Sequence, residues 1–139
     1  MTSLTFTIPG TPQPQQRPRF TRQGSFVRTY DPPKSKAAKK VVSDVATMAA
    51  FDAGLTEPMA GPVEVVVEFH MPIPKSSKAR PDDYHIKKPD LDNLIKLVLD
   101  GISDSCAVWR DDSQVSEVAA CKVYGVNPQT RVRITEVDV

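Results

Sequence analysis

Six apolar residues between positions 91 and 102 recur with the spacing of one helix face. They are Leu91, Leu94, Ile95, Val98, Leu99 and Ile102. Offsets of three, four, seven, eight and eleven residues bring side chains onto the same side of an α-helix. Asp92, Lys96 and Asp100 lie off that side. The pattern therefore predicts an amphipathic helix over about 91–102, with its apolar side on a core and its charged side exposed.

The other elements are predicted from alternating apolar residues and from turn residues. A second helix is expected from about Pro33 to Ala53, with Asp31 placed to cap its start. Its expected apolar positions include Val41, Met48 and the flanking Phe51. Asn127-Pro128 is expected to form the turn of a hairpin that joins the last two strands. Strands are predicted at 4–8, 63–69, 115–124 and 130–137, and a small exposed hairpin at about 20–28. This order predicts a small α+β fold with two main helices and a mixed or antiparallel sheet.

Length and composition are those of one ordinary domain, here residues 1–139. The chain is 40% hydrophobic and 25% charged, which is typical of globular proteins. Its apolar runs are too short to cross a bilayer, and its start lacks the features of a signal peptide, so we expect a cytoplasmic protein with no membrane partner. Cys106 and Cys121 have no Cys or His at zinc spacing, and we expect reduced, mostly buried thiols.

The charge is divided unevenly along the chain. Residues 1–40 carry eight basic side chains and one acidic one, whereas the overall net charge is only +1. Two proline-rich segments, 9–30 and 72–89, are predicted to be flexible basic loops. Segregated positive charge indicates a polyanionic partner, although a solvated charged surface would give the same composition. Phosphate contacts are expected from these basic residues: Arg17, Arg19, Lys87 and Lys88.

Four aspartates lie around the predicted 91–102 helix. Asp90 and Asp92 flank its start, and Asp111-Asp112 precede the next strand. Each has an ordinary structural explanation, because acids are favoured at helix starts and turns. Lys96 is four residues after Asp92, so a surface ion pair explains it equally well.

Taken together, the acids indicate a metal site. If the strand that begins near Val115 packs beside the helix, Asp112 can meet Asp90 and Asp92. Three neighbouring carboxylates repel one another unless a cation neutralises them, and Mg²⁺ prefers such hard oxygen ligands. A lysine nearby, Lys96, could then hold a phosphate or stabilise developing negative charge. No phosphate-binding glycine loop and no serine-triad motif is present in the sequence.

The chain also resembles the RusA family of Holliday junction resolvases, which are crossover junction endodeoxyribonucleases. The resemblance rests on Phe6–Gly10, Arg17-Pro18-Arg19, Lys88–Lys96, Asp111–Val115 and Lys122. It implies a homodimeric, Mg²⁺-dependent nuclease with no small-molecule cofactor, which nicks four-way DNA junctions symmetrically in DNA recombination and repair. It further implies Asp90, Asp92 and Asp112 as catalytic metal ligands and Lys96 as the essential lysine. Lys122 joins the residues expected to contact DNA.

Several alternatives remain at this point. A non-catalytic nucleic-acid-binding module would use the acids only as helix caps. A hydrolase of a small phosphate is disfavoured by eight N-terminal cations, and a nuclease of other branched DNA shares every feature described so far. Phe20 and Phe26 could form a stacking surface for unpaired bases, and Trp109 could fill the core or an interface. Exposed apolar positions near Trp109 and the 91–102 helix are candidates for the dimer contact.

Overall fold

The computed structural model describes residues 2–138, which form six strands and two α-helices. The strands are β1 (Ser3–Pro9), β2 (Arg19–Gln23), β3 (Phe26–Tyr30), β4 (Val63–Pro72), β5 (Val115–Gly125) and β6 (Gln129–Glu136). The helices are α1 (Pro33–Asp52) and α2 (Leu91–Ser105), and a short 3-10 helix, Asp112–Gln114, precedes β5. The predicted elements are thus all present, with α2 one turn longer than expected because Ser103 to Ser105 remain helical.

The main sheet has four strands in the order β1-β6-β4-β5. β6 pairs antiparallel with both β1 and β4, whereas β5 runs parallel to β4. β2 and β3 form a separate two-stranded hairpin. The predicted α+β class and mixed sheet are therefore confirmed.

The predicted hairpin between the last two strands is wrong. β5 and β6 are consecutive in the sequence, but β4 lies between them. The Asn127-Pro128 turn reverses the chain without pairing its flanking strands. The physical reason lies in the buried side of β4: Val63, Val65 and Val67 are at most 1% exposed, and a strand whose core-facing side is so fully buried gains most from a position between two neighbours.

The core lies between one face of the sheet and the two helices. Alternate residues of β1, β4 and β6 point into it, including Phe6, Phe69 and Ile134. On α2 the fully buried side chains are Leu94, Leu97, Val98 and Ile102. Leu97 was not part of the predicted apolar side. The buried side of the observed helix is therefore rotated relative to the predicted one, so that it includes Leu97. Trp109 is fully buried, and its indole Nε1 donates a hydrogen bond to Ser103 Oγ at 2.9 Å.

The two helices approach each other most closely at Gly101. A Cβ atom at this position would lie 2.6 Å from Val42 Cβ and 3.1 Å from the carbonyl oxygen of Lys39 on α1. Contacts between carbon atoms do not form at 2.6 Å, so this crossing requires a residue without a side chain. Gly101 therefore sets how α2 lies on α1.

Three local expectations fail. Asp31 does not cap α1, whose N-cap residue is Pro32; its carboxylate instead forms an ion pair with Lys39. Cys106 is exposed rather than buried, because it ends α2 in a left-handed conformation with φ of 55°.

Val41, Met48 and Phe51, which were expected on the apolar side of α1, are also exposed. The buried side of α1 is small and consists of Ser35, Val42, Ala46 and Ala50.

The long basic loop after β4 is held against β5. The amide groups of Asp82 and His85 donate to the carbonyl oxygens of Tyr124 and Lys122, and the Tyr124 amide donates to Asp83, all within 2.9 Å. The loop thereby acts as a short additional strand at one end of β5. Among the described residues, no helix is long and apolar enough to cross a membrane.

We predict that Gly101→Ala destabilises the fold. Helix propensity alone would favour alanine by about 1 kcal/mol, but forcing a methyl group against the fixed Val42 Cβ should cost about 1–3 kcal/mol and displace α2. The free energy of unfolding in urea is the measurement. Asp104→Ala, at an exposed position on the same helix, is the control and should leave stability nearly unchanged. An increase in stability for Gly101→Ala would contradict the close crossing.

Candidate functional site

Asp90 and Asp92 lie at the exposed N-terminus of α2. Asp90 is the N-cap residue, yet its carboxylate makes no capping hydrogen bond to the helix. Asp90 Oδ1 instead accepts a hydrogen bond from Lys88 Nζ at 3.0 Å, and both side chains are more than half exposed. Surface ion pairs of this kind are weak, worth up to about 1 kcal/mol. The Asp90 carboxylate can therefore exchange Lys88 for another cation.

These two carboxylates share one depression with basic side chains from distant parts of the sequence. Arg17 and Lys88 line it together with Asp90, Asp92 and Asn93. Arg17 is brought there because the Gln15 amide donates to the Asn93 carbonyl oxygen at 2.9 Å. The N-terminal basic segment is thereby fixed beside the start of α2, with acids and bases next to one another.

Lys122 holds the chain immediately before this helix. Its Nζ donates to the carbonyl oxygens of Lys87 at 2.5 Å and of Pro89 at 2.6 Å. Hydrogen bonds from a charged donor are about twice as strong as neutral ones. Lys122 was predicted to contact DNA, but its ammonium group is occupied with fixing the backbone that leads into Asp90.

His85 lies close to Lys122 and to the backbone that Lys122 holds. Its ring lies 4.8 Å from that of Tyr124, measured between centroids. Burial, and then the nearby Lys122 and Lys87 charges, lower the pKa of His85. The imidazole therefore stays neutral at neutral pH and adds no positive charge next to Lys122.

Asp112, which begins the 3-10 helix, lies near Lys96 and Asp100 in the middle of α2. Lys96 Nζ is 3.4 Å from Asp100 Oδ2. Asp92, Lys96 and Asp100 are spaced at four-residue intervals and so follow one side of the helix. Asp112 joins them from the 3-10 helix that packs on α2, and interactions with both Asp100 and Lys96 affect its pKa.

Gln114 positions the 3-10 helix that carries Asp112. Its side-chain oxygen accepts from the amide groups of Arg110 and Asp111, at 2.8 and 3.0 Å. Its side-chain nitrogen donates to the carbonyl oxygens of Met59 and Gly61, at 2.8 and 2.9 Å. The oxygen of this side chain thus holds the turn together, and its nitrogen fastens the turn to the segment before β4.

Asp111 and Asp112 are adjacent in the sequence, but their pKa values are shifted in opposite directions. Hydrogen bonds from Ser113 lower the pKa of Asp111, which caps the 3-10 helix. Burial raises the pKa of Asp112, and the neighbouring Asp111 and Asp100 charges raise it further. The ionised Asp112 is therefore disfavoured in the folded chain and would be stabilised by a bound cation.

The structure brings some of the predicted site residues together and separates others. Asp90, Asp92, Arg17 and Lys88 share the depression, whereas Asp112 lies with Lys96 and Asp100. Arg19 is exposed on β2, and the Lys87 side chain is exposed. Within residues 2–138, no three His, Cys, Asp or Glu side chains are arranged closely enough to hold a metal ion. The carboxylates thus line one side of α2 without forming a closed cage.

Sequence reasoning missed two residues that organise this site. Asp100 had a usable signal, because it stands four residues after Lys96 off the apolar side of the helix. Gln114 had a weaker one: it is the third residue after Asp111, as in a capping box. Its contacts with residues 59–61 could not be predicted from such local spacing.

Comparison with known proteins identifies the class. A protein-family model described as endodeoxyribonuclease RusA matches residues 9–135. The chain therefore belongs to the RusA family, a family of Holliday junction endodeoxyribonucleases, which supports nuclease activity on DNA. The chain is also similar to the uncharacterized protein YqaN of Bacillus subtilis (strain 168), with 34% identity over 146 residues that cover 99% of each chain.

We predict that Asp112→Asn stabilises the metal-free protein at pH 7. A group whose folded pKa is raised costs stability while it is ionised, and the cost disappears below its unfolded value near 3.8. The gain should therefore shrink as pH falls towards 3. Urea unfolding in EDTA at several pH values measures it.

Asp111→Asn is the matched control for this measurement. The pKa of Asp111 is lowered, so its charge contributes stability above its unfolded pKa and loses it as pH falls. Asp111→Asn should therefore give no gain at pH 7. Equal effects of the two substitutions would contradict the opposite environments of these two carboxylates.

We predict that Lys122→Met loosens the backbone before α2. Methionine keeps the length of the side chain but removes both hydrogen bonds, at a local cost of about 1–3 kcal/mol. Amide hydrogen exchange in 86–92 should become faster, while exchange in β4 stays slow. Lys75→Met, at an exposed position in the same loop, is the control. Unchanged exchange in 86–92 would show that Lys122 does not hold this segment.

Proposed function

We propose that the protein is a Mg²⁺-dependent, structure-specific endodeoxyribonuclease that resolves four-way DNA junctions by paired nicks. The convergence of Asp90, Asp92, Arg17 and Lys88 in one exposed depression carries this proposal. Carboxylates are suitable ligands for Mg²⁺, and arginine and lysine are suitable partners for a phosphate. Membership of the endodeoxyribonuclease RusA family gives this combination its expected substrate.

The donor set fits Mg²⁺. Asp90 and Asp92 offer exposed carboxylate oxygens, and Asp112 offers a half-buried carboxylate whose pKa is raised, first by burial and then by the neighbouring Asp111 and Asp100 charges. Asp90 and Asp92 would hold the ion at the start of α2, and Asp112, which lies with Lys96 and Asp100 in the free protein, would complete the set if a cation draws the three carboxylates together. When bound, Mg²⁺ supplies an activated water and polarises a phosphate oxygen.

The basic side chains would bind and orient the DNA strand. Arg17 can hold a phosphate by two parallel hydrogen bonds. Lys88 is paired with Asp90 in the free protein, and a cation at Asp90 would release it for the phosphate next to the scissile one. Lys96, 62% exposed and paired with Asp100, supplies positive charge where negative charge develops during cleavage.

A homodimer would suit the proposed substrate. A four-way junction has approximate two-fold symmetry, and paired nicks on opposing strands require two sites at a fixed separation. The described residues of each chain, 2–138, supply one such cluster of carboxylates. The interface earlier expected near Trp109 cannot use that side chain directly, because Trp109 is fully buried in its own chain.

Asp92→Asn should abolish nicking of a four-way junction while preserving its binding. The substitution removes a metal ligand but no basic contact, so cleavage in Mg²⁺ should fall to background and affinity in EDTA should stay within about twofold. Cleavage gels and gel-shift titrations of the same preparation measure both. Asp104→Asn, on α2 but outside the depression, is the control and should cleave normally.

Other outcomes of these assays are informative. Wild-type protein that binds the junction but never cuts it in Mg²⁺ would favour a non-catalytic binding module. Equal cutting of a flap and a four-way junction would replace the resolvase proposal by a general nuclease of branched DNA. Loss of both binding and cleavage in Asp92→Asn, with normal unfolding, would contradict the assignment of Asp92 as a metal ligand alone.

A further inference from the structure

The β2–β3 hairpin projects from the domain and shares no strand pairing with the main sheet. Of its ten strand residues, nine are exposed, and Thr21 is half-buried. A two-stranded hairpin by itself is marginally stable in water. The fold therefore gains little from the hairpin, and its side chains are available for another molecule.

Both faces of this hairpin combine aromatic or apolar side chains with arginine. Residues paired directly across the hairpin share a face, and Arg22 pairs with Val27 while Gln23 pairs with Phe26. One face therefore carries Phe20, Arg22 and Val27. The other face carries Phe26, Arg28 and Tyr30. Phe20 is 74% exposed and Phe26 75%. Residues 17–30 contain four arginines and no acidic residue. An apolar surface so strongly positive selects a polyanion that also offers flat apolar faces.

The base of the hairpin is fastened beside the carboxylates of α2. On the incoming side, the Gln15 amide donates to Asn93 and the Gln16 amide to Ser35 Oγ at 3.0 Å. On the outgoing side, Asp31 accepts from Gln15 Nε2 at 3.2 Å and pairs with Lys39. Five-residue strands extend about 17 Å, so the hairpin reaches this far from a base held next to the proposed cleavage site.

We propose that this hairpin is a stacking platform for unpaired nucleobases at the branch point of the DNA. Phe20 and Phe26 would each stack on a base exposed where the strands exchange, while Arg19, Arg22 and Arg28 contact the flanking phosphates. This inference rests on the proposed function and adds a means of recognising the branch. Uninterrupted duplex offers no exposed base faces, so the two rings would favour branched DNA over duplex.

The test uses the double variant Phe20→Ala/Phe26→Ala. In EDTA, so that no strand is cut, it should bind a four-way junction about tenfold or more weakly than wild type. Its affinity for plain duplex should be unchanged, because all four arginines remain. Fluorescence titration of both DNAs at one salt concentration gives the two affinities. Normal urea unfolding is expected, since neither ring is buried.

Two control variants make the outcome specific. Phe51→Ala removes a phenylalanine on α1 that is 79% exposed and should change neither affinity. Phe20→Trp/Phe26→Trp preserves flat aromatic surfaces and should retain the preference for the junction. A junction containing 2-aminopurine at the branch point should change fluorescence with wild type and with the tryptophan variant, but not with the alanine variant.

Contrary results are readily recognised. An alanine variant that keeps the full preference for the junction would overturn the platform. So would a mass by light scattering that falls to the monomer in this variant alone, because the hairpin would then bind a second copy of the chain. Wild-type protein that neither prefers nor cuts a junction would instead refute the proposed function, which separates the two failures.

Discussion

The arrangement of the site depends on how closely α2 lies on α1. Gly101 lets the backbone of α2 approach Val42, and this contact fixes the direction in which the start of α2 points. Asp90 and Asp92 are carried at that start. Because α1 also holds Asp31 through Lys39, the same pair of helices supports both the carboxylates and the base of the β2–β3 hairpin.

Hydrogen bonds from three separated segments hold the parts of the site in place. Gln15 binds the first turn of α2, Lys122 fixes the backbone before it, and Gln114 holds the turn that carries Asp112. The charged groups expected to act on DNA are exposed, whereas the groups that position them are hydrogen-bonded within the chain. Positioning and chemistry are thus assigned to different residues, as is common where exposed groups must be held in place.

Sequence patterns predicted the elements of this fold well because they are set by local periodicity. The apolar spacing of α2 and the alternation in β4 were sufficient to locate both elements. Strand order was beyond such reasoning: a turn at Asn127-Pro128 favours a local hairpin, but β4, whose core-facing valines are fully buried, lies between β5 and β6. For the site, Asp90, Asp92 and Asp112 were predicted to meet; Asp90 and Asp92 line one depression, whereas Asp112 lies with Lys96 and Asp100. Lys122 was assigned to DNA contact from the family resemblance, whereas its hydrogen bonds go to the backbone of the loop that crosses β5.

The pairing of β1 with β6 has a consequence for how the protein is made. Ser3 lies opposite Thr135 and Pro9 opposite Gln129, so this ladder closes a loop of almost the whole chain, and β6 is the strand that joins β1 to β4. Such long-range pairing is entropically unfavourable until the intervening structure has formed. During translation, the sheet can therefore be completed only after the ribosome has released β6. Until then, the nascent chain has its basic hairpin and its carboxylates but not the finished sheet that supports them.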